Sequence, residues 1–126
     1  MRVFVTKAFR RFQRKEFIED DTLCEAIARA ERGLIDADLG SGLIKQRVAR
    51  AGQGRSGGYR TIIAYRTAAR SVFIYGFPKS AQANISAADR RDLTDFGRML
   101  LGLGDDGIAA MIEGDELKEI ERHAEG

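Results

Sequence analysis

Between Ser71 and Phe77 the chain carries Val72, Phe73, Ile74, Tyr75 and Phe77 with hardly a polar side chain between them. An apolar run that does not alternate predicts a strand near the centre of a sheet, covered on both faces. The remainder of the chain must therefore supply flanking strands and helical layers for a single core. A length of 126 residues suits one such core rather than two.

The elements can be read around that strand. Val3 and Val5 alternate in a short first strand, Arg2 to Val5, and Thr6 stands where a helix N-cap is wanted. Lys7 to Lys15 reads as a first helix, with Phe9 and Phe12 on one face and Arg10, Arg11 and Arg14 elsewhere. Asp20 or Asp21 opens a second helix, in which Leu23, Ala26, Ile27 and Ala30 recur at helical spacing until Gly33 stops it. Beyond the Gly40-Ser41-Gly42 turn, Leu43 to Arg50 and Tyr59 to Arg66 are strands that lead into Ser71 to Phe77, giving a three-strand meander. Ser86 and Asp89 resemble a capping box, after which Leu93, Phe96, Gly97, Leu100 and Leu103 mark one face of a third helix. Ile108, Met111 and Ile112 suit one more short helix ahead of an acidic tail. The expected fold is α+β, an antiparallel sheet with helices packed on it.

Some chemistries are disfavoured at once. Cys24 is the one cysteine and His123 the one histidine, so neither a disulfide framework nor histidine-based catalysis is expected, and no phosphate-loop, dinucleotide or HExxH pattern occurs. No metal and no cofactor is expected. No stretch approaches the ~18 apolar residues of a membrane span, and the N-terminus is unlike a signal peptide, so a cytoplasmic protein is expected.

Charge is divided along the chain. Residues 1–103 hold 19 Lys and Arg against 11 Asp and Glu, whereas residues 104–126 hold 2 against 8. From Ser41 to Lys79 there are eight basic residues and no acidic one: Lys45, Arg47, Arg50, Arg55, Arg60, Arg66, Arg70 and Lys79. A soluble surface ordinarily mixes both signs, since a field of one sign repels itself, so such a segment points to a polyanion as partner. The period of two along Leu43 to Arg50 sets Ile44 and Val48 on one face and Lys45 with Arg47 on the other. The acidic end could compete with that polyanion, or could simply keep the last helix soluble.

The order strand, helix, helix, three strands, helix, together with Leu43-Ile44-Lys45-Gln46-Arg47-Val48-Ala49-Arg50, Gly58-Tyr59-Arg60 and Ile74-Tyr75-Gly76-Phe77-Pro78-Lys79, resembles the RelE/HigB toxins of type II toxin-antitoxin modules, and within them the HigB-like branch. The resemblance runs over residues 1–103, with 104–126 as a short helix and acidic tail of the same domain. It implies a RelE-like sheet and a metal-independent endoribonuclease that cuts messenger RNA on the ribosome. The implied partners are the ribosome, its mRNA and a cognate antitoxin, of helix-turn-helix type and encoded adjacently; a homodimer is left open.

Cleavage by attack of a ribose 2′-hydroxyl needs a proton acceptor, donors for the phosphorane oxygens and an acid for the leaving 5′-oxygen. By the resemblance, Lys45 and Arg47 match a Lys-x-basic pair, Arg60 the arginine of a Gly-Tyr-Arg strand start, and Lys79 a basic residue after the last strand. Lys45 is the candidate base, because lysine can give up its proton where arginine cannot. Arg47 and Arg60 would hold the phosphorane, and Lys79 would act as acid or phosphate clamp. Arg50, Arg55 and Arg66 are candidate RNA contacts, with Tyr59 or Tyr75 stacking on a base. In the better-known RelE pattern a tyrosine opens the next helical region; here Asn84 and Ile85 stand there. Two rival readings share these residues: a toxin of the ParE type directed at DNA gyrase, and a non-catalytic RNA-binding module.

Overall fold

The computed structural model describes residues 1–50, 54–78 and 85–122, the side chains of 54–57 apart. Ten elements follow one another: β1 (Arg2–Thr6), α1 (Lys7–Lys15), α2 (Asp20–Glu31), β2 (Ala37–Gly40), β3 (Leu43–Arg50), β4 (Gly54–Arg66), β5 (Arg70–Pro78), α3 (Ala87–Gly102), α4 (Asp105–Glu113) and β6 (Leu117–Ile120). Local chemistry sets the helix starts as the sequence suggests. The Thr6 hydroxyl accepts from the Phe9 N–H at 3.1 Å, and the Ser86 hydroxyl from the Asp89 N–H at 3.1 Å. Gly33, at φ +82°, takes the left-handed position past α2.

All six strands join one sheet in the order β2-β3-β4-β5-β1-β6. The sheet is α+β as expected, but it is mixed and not wholly antiparallel: β1 lies parallel to β5, with Val3 opposite Ser71 and Val5 opposite Phe73. The two helices between β1 and the meander carry the chain across the sheet, so its first strand enters beside its last meander strand in the same direction. Two further strands were not foreseen. β2 has four residues, with Asp38 accepting from the Gly40 N–H across a bulge, and β6 has the sequence Leu-Lys-Glu-Ile. Each is too short and too polar to show alternation by itself.

The core has two layers. Val3, Val5, Phe9, Leu23, Ile27, Ile44, Val48, Tyr59, Ile63 and Phe73 cluster on the face under α1 and α2. Phe4, Leu43, Ile62, Ala64, Val72, Leu100, Ile108 and Leu117 cluster on the face under α3 and α4. Leu117 and Ile120 are buried at 1% and 2% exposure, so the end of the chain that its acidity marks as a solvated tail closes the sheet against β1. Hydrophobic anchors at both ends of a four-residue strand outweigh the charge between them.

Candidate functional site: a cationic sheet face

The β3–β4–β5 register decides which side chains share a surface. Arg47 lies opposite Arg60, and Arg60 opposite Phe77; Lys45 lies opposite Ile62, and Ile62 opposite Tyr75. Residues directly opposite on neighbouring strands have Cβ atoms ~5 Å apart on one face. Two adjacent rows result, Arg47-Arg60-Phe77 and Lys45-Ile62-Tyr75, on the face that α3 covers elsewhere. Simple alternation would have sent Tyr75 to the other face with Phe73. A register shift opposite Ile62 and Ile63 places two residues, Ile74 and Tyr75, where one would sit, and so turns Tyr75 and Phe77 towards the cations. The two rings meet at 5.7 Å.

Gly76, between them, faces α1. A Cβ there would lie 2.5 Å from Phe12 Cε2 and 3.0 Å from Phe9 Cε2, so only glycine lets α1 pack this closely behind the aromatic pair. On the site face, α3 comes near Leu43 and Ala64 through Gly97, where a Cβ would be 2.8 Å from Leu43 Cδ2. The helix thus covers the row below Lys45 and leaves the cationic rows open: Arg47 is exposed, and Lys45, Arg60 and Tyr75 are half-buried.

Among the described residues, none of Lys45, Arg47 and Arg60 has a carboxylate at ion-pair distance. The Nε of Arg60 is buried and has no hydrogen-bond partner among the described residues. A guanidinium nitrogen removed from water without an acceptor carries a desolvation cost, and like charges opposed across strands add to it. Nothing in the described chain offsets either.

Behind Arg47 the backbone is fixed by a polar cluster, built on the buried Arg29 and Gln46, that the sequence reading missed. β2 begins at Ala37, opposite Lys45, and past that pair the edge of β3 is satisfied by side chains. The Asp36 carboxylate accepts from the Arg47 N–H at 2.6 Å, while Arg29 Nη2 donates to the Arg47 carbonyl. Arg29 is 4% exposed and is held in turn by Glu25 at 2.9 Å and Asp36 at 3.7 Å. Gln46, fully buried, donates to the carbonyls of Ala26 and Leu34 and accepts from the Asp36 N–H at 2.7 Å. A signal was present: Arg29 follows Ala26 by three on the apolar stripe of α2, and Gln46 falls between Ile44 and Val48 on the core face of β3.

The other predicted contacts lie elsewhere. Tyr59 faces α1, where it is 3% exposed, meets Phe12 edge-on at 5.5 Å and donates to the Glu16 carbonyl at 3.4 Å. Burial raises its phenol above the ordinary value, with Glu16 adding and Arg50 opposing. A ring so enclosed offers no free face for a base, so of the two tyrosines only Tyr75 stands with the cations. The Arg50 guanidinium covers the Tyr59 ring at 5.6 Å, on the helix side of the sheet. Arg66 shares the site face but lies six residues along β4 from Arg60, roughly 20 Å at strand rise. The Arg55 side chain, Lys79 and His123 fall outside the described residues.

One family model matches the chain, the RelE toxin of the RelE / RelB toxin-antitoxin system, over residues 1–120. The chain belongs to the RelE toxin family. The match extends past Leu103 through α4 and β6, in keeping with their place in the core. No curated protein matches the chain as a relative. Membership makes this RelE-type protein the toxin of a toxin-antitoxin module, with a cognate antitoxin as partner. Among its described residues no helix is long and apolar enough to cross a membrane.

Proposed function

We propose that this RelE-type toxin cleaves messenger RNA on the ribosome without a metal ion and thereby stops translation. The observation that carries the reading is the Arg47–Arg60 pair, opposed across β3 and β4, with no carboxylate at ion-pair distance from either guanidinium among the described residues and with the Arg60 Nε buried and unpartnered there. A phosphate crossing that pair would receive charge-assisted hydrogen bonds from both guanidinium groups, and its charge rises as the phosphorane forms. Lys45, one row away, takes the 2′-hydroxyl proton in this scheme as the 2′-oxygen bonds to phosphorus. The bond to the 5′-oxygen then breaks, with Lys79 as the acid that protonates it, leaving a cyclic phosphate and a 5′-hydroxyl end. Tyr75 provides a ring for a flanking base, and Arg50, Arg55 and Arg66 hold ribosomal or messenger phosphates more distantly.

The test is primer extension on a message translated in a reconstituted system with the purified protein. Discrete cuts in wild type, lost in Arg60→Ala and in Lys45→Arg, are expected; the second variant keeps the charge while removing an amine that can accept a proton. An intact message with inhibited DNA supercoiling would transfer the protein to gyrase, and RNA binding without cuts would leave a binding module.

A further inference from the structure

Arg47 stands where the sheet runs out of strand on one side. Past the Ala37–Lys45 pair no described strand borders the outer edge of β3, and the Arg47 N–H and carbonyl are taken by the Asp36 carboxylate and by Arg29. On the inner edge the Thr61 hydroxyl, next to Arg60 in β4 and fully buried, donates to the Gln46 carbonyl at 2.9 Å. Backbone groups at a strand end open to water unless partners fix them, and here they are fixed from both sides. The restraint has something to oppose, because Arg47 directly across from Arg60 pushes the two strands apart at this pair.

The carboxylate is itself held. The Asp36 N–H donates to Gln46 Oε1 at 2.7 Å, and the Gln46 amide is anchored on the Ala26 and Leu34 carbonyls. The same oxygen, Asp36 Oδ2, serves both the Arg47 N–H at 2.6 Å and Arg29 at 3.7 Å. An acid this near an arginine would ordinarily draw its guanidinium into a salt bridge. Asp36 instead grips Arg47 by the main chain, and among the described residues the Arg47 guanidinium has no carboxylate at ion-pair distance.

We infer that Asp36, backed by Arg29 and Gln46, is a positioning residue for Arg47: it fixes the main chain from which the guanidinium reaches a phosphate, and Arg29 keeps the acid from neutralising that guanidinium. The effect on cleavage rests on the reading of Arg47 as a donor to the phosphorane, whereas the restraint on Arg47 does not depend on whether RNA is cut. A donor displaced by about 1 Å forfeits much of its hold on the transition state, while attraction of the ground-state phosphate by its charge survives.

The test compares Asp36→Ala with Asp36→Asn in the purified full chain, each alone and combined with Arg47→Ala. Alanine removes the acceptor, whereas asparagine keeps an oxygen for the Arg47 N–H. Asp36→Ala is expected to lower the single-turnover cleavage rate by ~10-fold or more with little change in KM for the message, and Asp36→Asn to recover most of the rate. In the Arg47→Ala background Asp36→Ala should have no further effect, because nothing is left to position. Asp36→Glu, which keeps the charge but displaces the oxygens by one methylene, should show the same pattern and takes over the test if alanine unfolds the chain. An equal loss of rate in both backgrounds would make the residue structural and overturn the inference. A readout that needs no cleavage is nuclear magnetic resonance: in Asp36→Ala the Arg47 amide should exchange with solvent ~10-fold faster, and Nε relaxation should show a more mobile Arg47 side chain with Arg60 unchanged. Unaltered Arg47 mobility would also overturn the positioning. Absence of cuts by wild type would remove the catalytic reading alone, and the resonance measurements then decide the restraint.

Discussion

The two ends of this sheet treat arginine in opposite ways. At the β1–β6 edge three arginines meet acids: Arg2 pairs with Glu119 at 2.9 Å, Arg10 with Asp115 at 2.8 Å and Arg122 with Glu31 at 2.8 Å. At the β3–β4–β5 end Arg47 and Arg60 face one another, and among the described residues no carboxylate lies at ion-pair distance from either guanidinium. Both ends use the same side chain on the same scaffold. What differs is whether the counter-charge comes from within the chain or from outside, and only the second arrangement leaves a guanidinium free for a phosphate. The pairing also redirects the acidic end of the chain. Asp115 and Glu119 are engaged with the N-terminal arginines and are not laid over the cationic rows.

The sharpest break of that comparison is to remove its matched end. A stop after Leu103 strips away α4 and β6 with the buried Ile108, Leu117 and Ile120. Each such residue is worth ~2–5 kcal/mol when truncated, so together they approach the ~5–15 kcal/mol that holds a domain folded. Loss of the cooperative thermal transition is expected, and a stably folded truncation with tighter RNA binding would restore the idea of a shielding tail.

Next in size is the unmatched end. Arg60→Ala should lower the single-turnover cleavage rate by ~10²–10³-fold, the usual cost of one transition-state donor. Its urea midpoint should be unchanged or higher, since a buried nitrogen without a partner is removed. A clear fall in stability with cleavage intact would make Arg60 structural.

Tyr59 and Tyr75 sharpen the contrast between faces. Tyr59→Ala leaves a hole beside Phe12 and should cost ~3 kcal/mol in urea unfolding, whereas Tyr75→Ala should act mainly on the KM for RNA. The reverse pattern would place the base-stacking ring on the helix side.

The smallest effect belongs to the matched pairs. Arg2 holds the Glu119 carboxyl below the ordinary glutamate range, and Arg122 does the same to Glu31. Because the folded-state values are the lower ones, the stabilisation is complete above the ordinary value of ~4.3 and is lost as pH falls through the depressed one. Exposed pairs of this kind contribute ~0.5 kcal/mol. Glu119→Gln should therefore lower the urea midpoint slightly at pH 6 and make no difference at pH 2.5. A gap that persists at the lower pH would assign the effect to packing.

The sequence by itself determined the elements whose causes are local. Thr6 and Ser86 cap their helices, the Phe9–Phe12 and Leu23–Ala30 spacings set helix faces, and the apolar run at Ser71 to Phe77 does occupy an interior strand. It also placed Lys45 and Arg47 on one surface, because alternation along β3 needs nothing beyond β3. Tertiary structure alone decided the rest. That Arg60 lies opposite Arg47 depends on the β3–β4 register, and that Tyr75 joins them depends on a one-residue shift in β5, to which composition is blind. The parallel entry of β1 and the capture of β6 follow from backbone hydrogen bonds and buried anchors separated by most of the chain. Local propensity specifies which segments become strands; which strand lies beside which, and hence which charges meet, is settled only when the core closes.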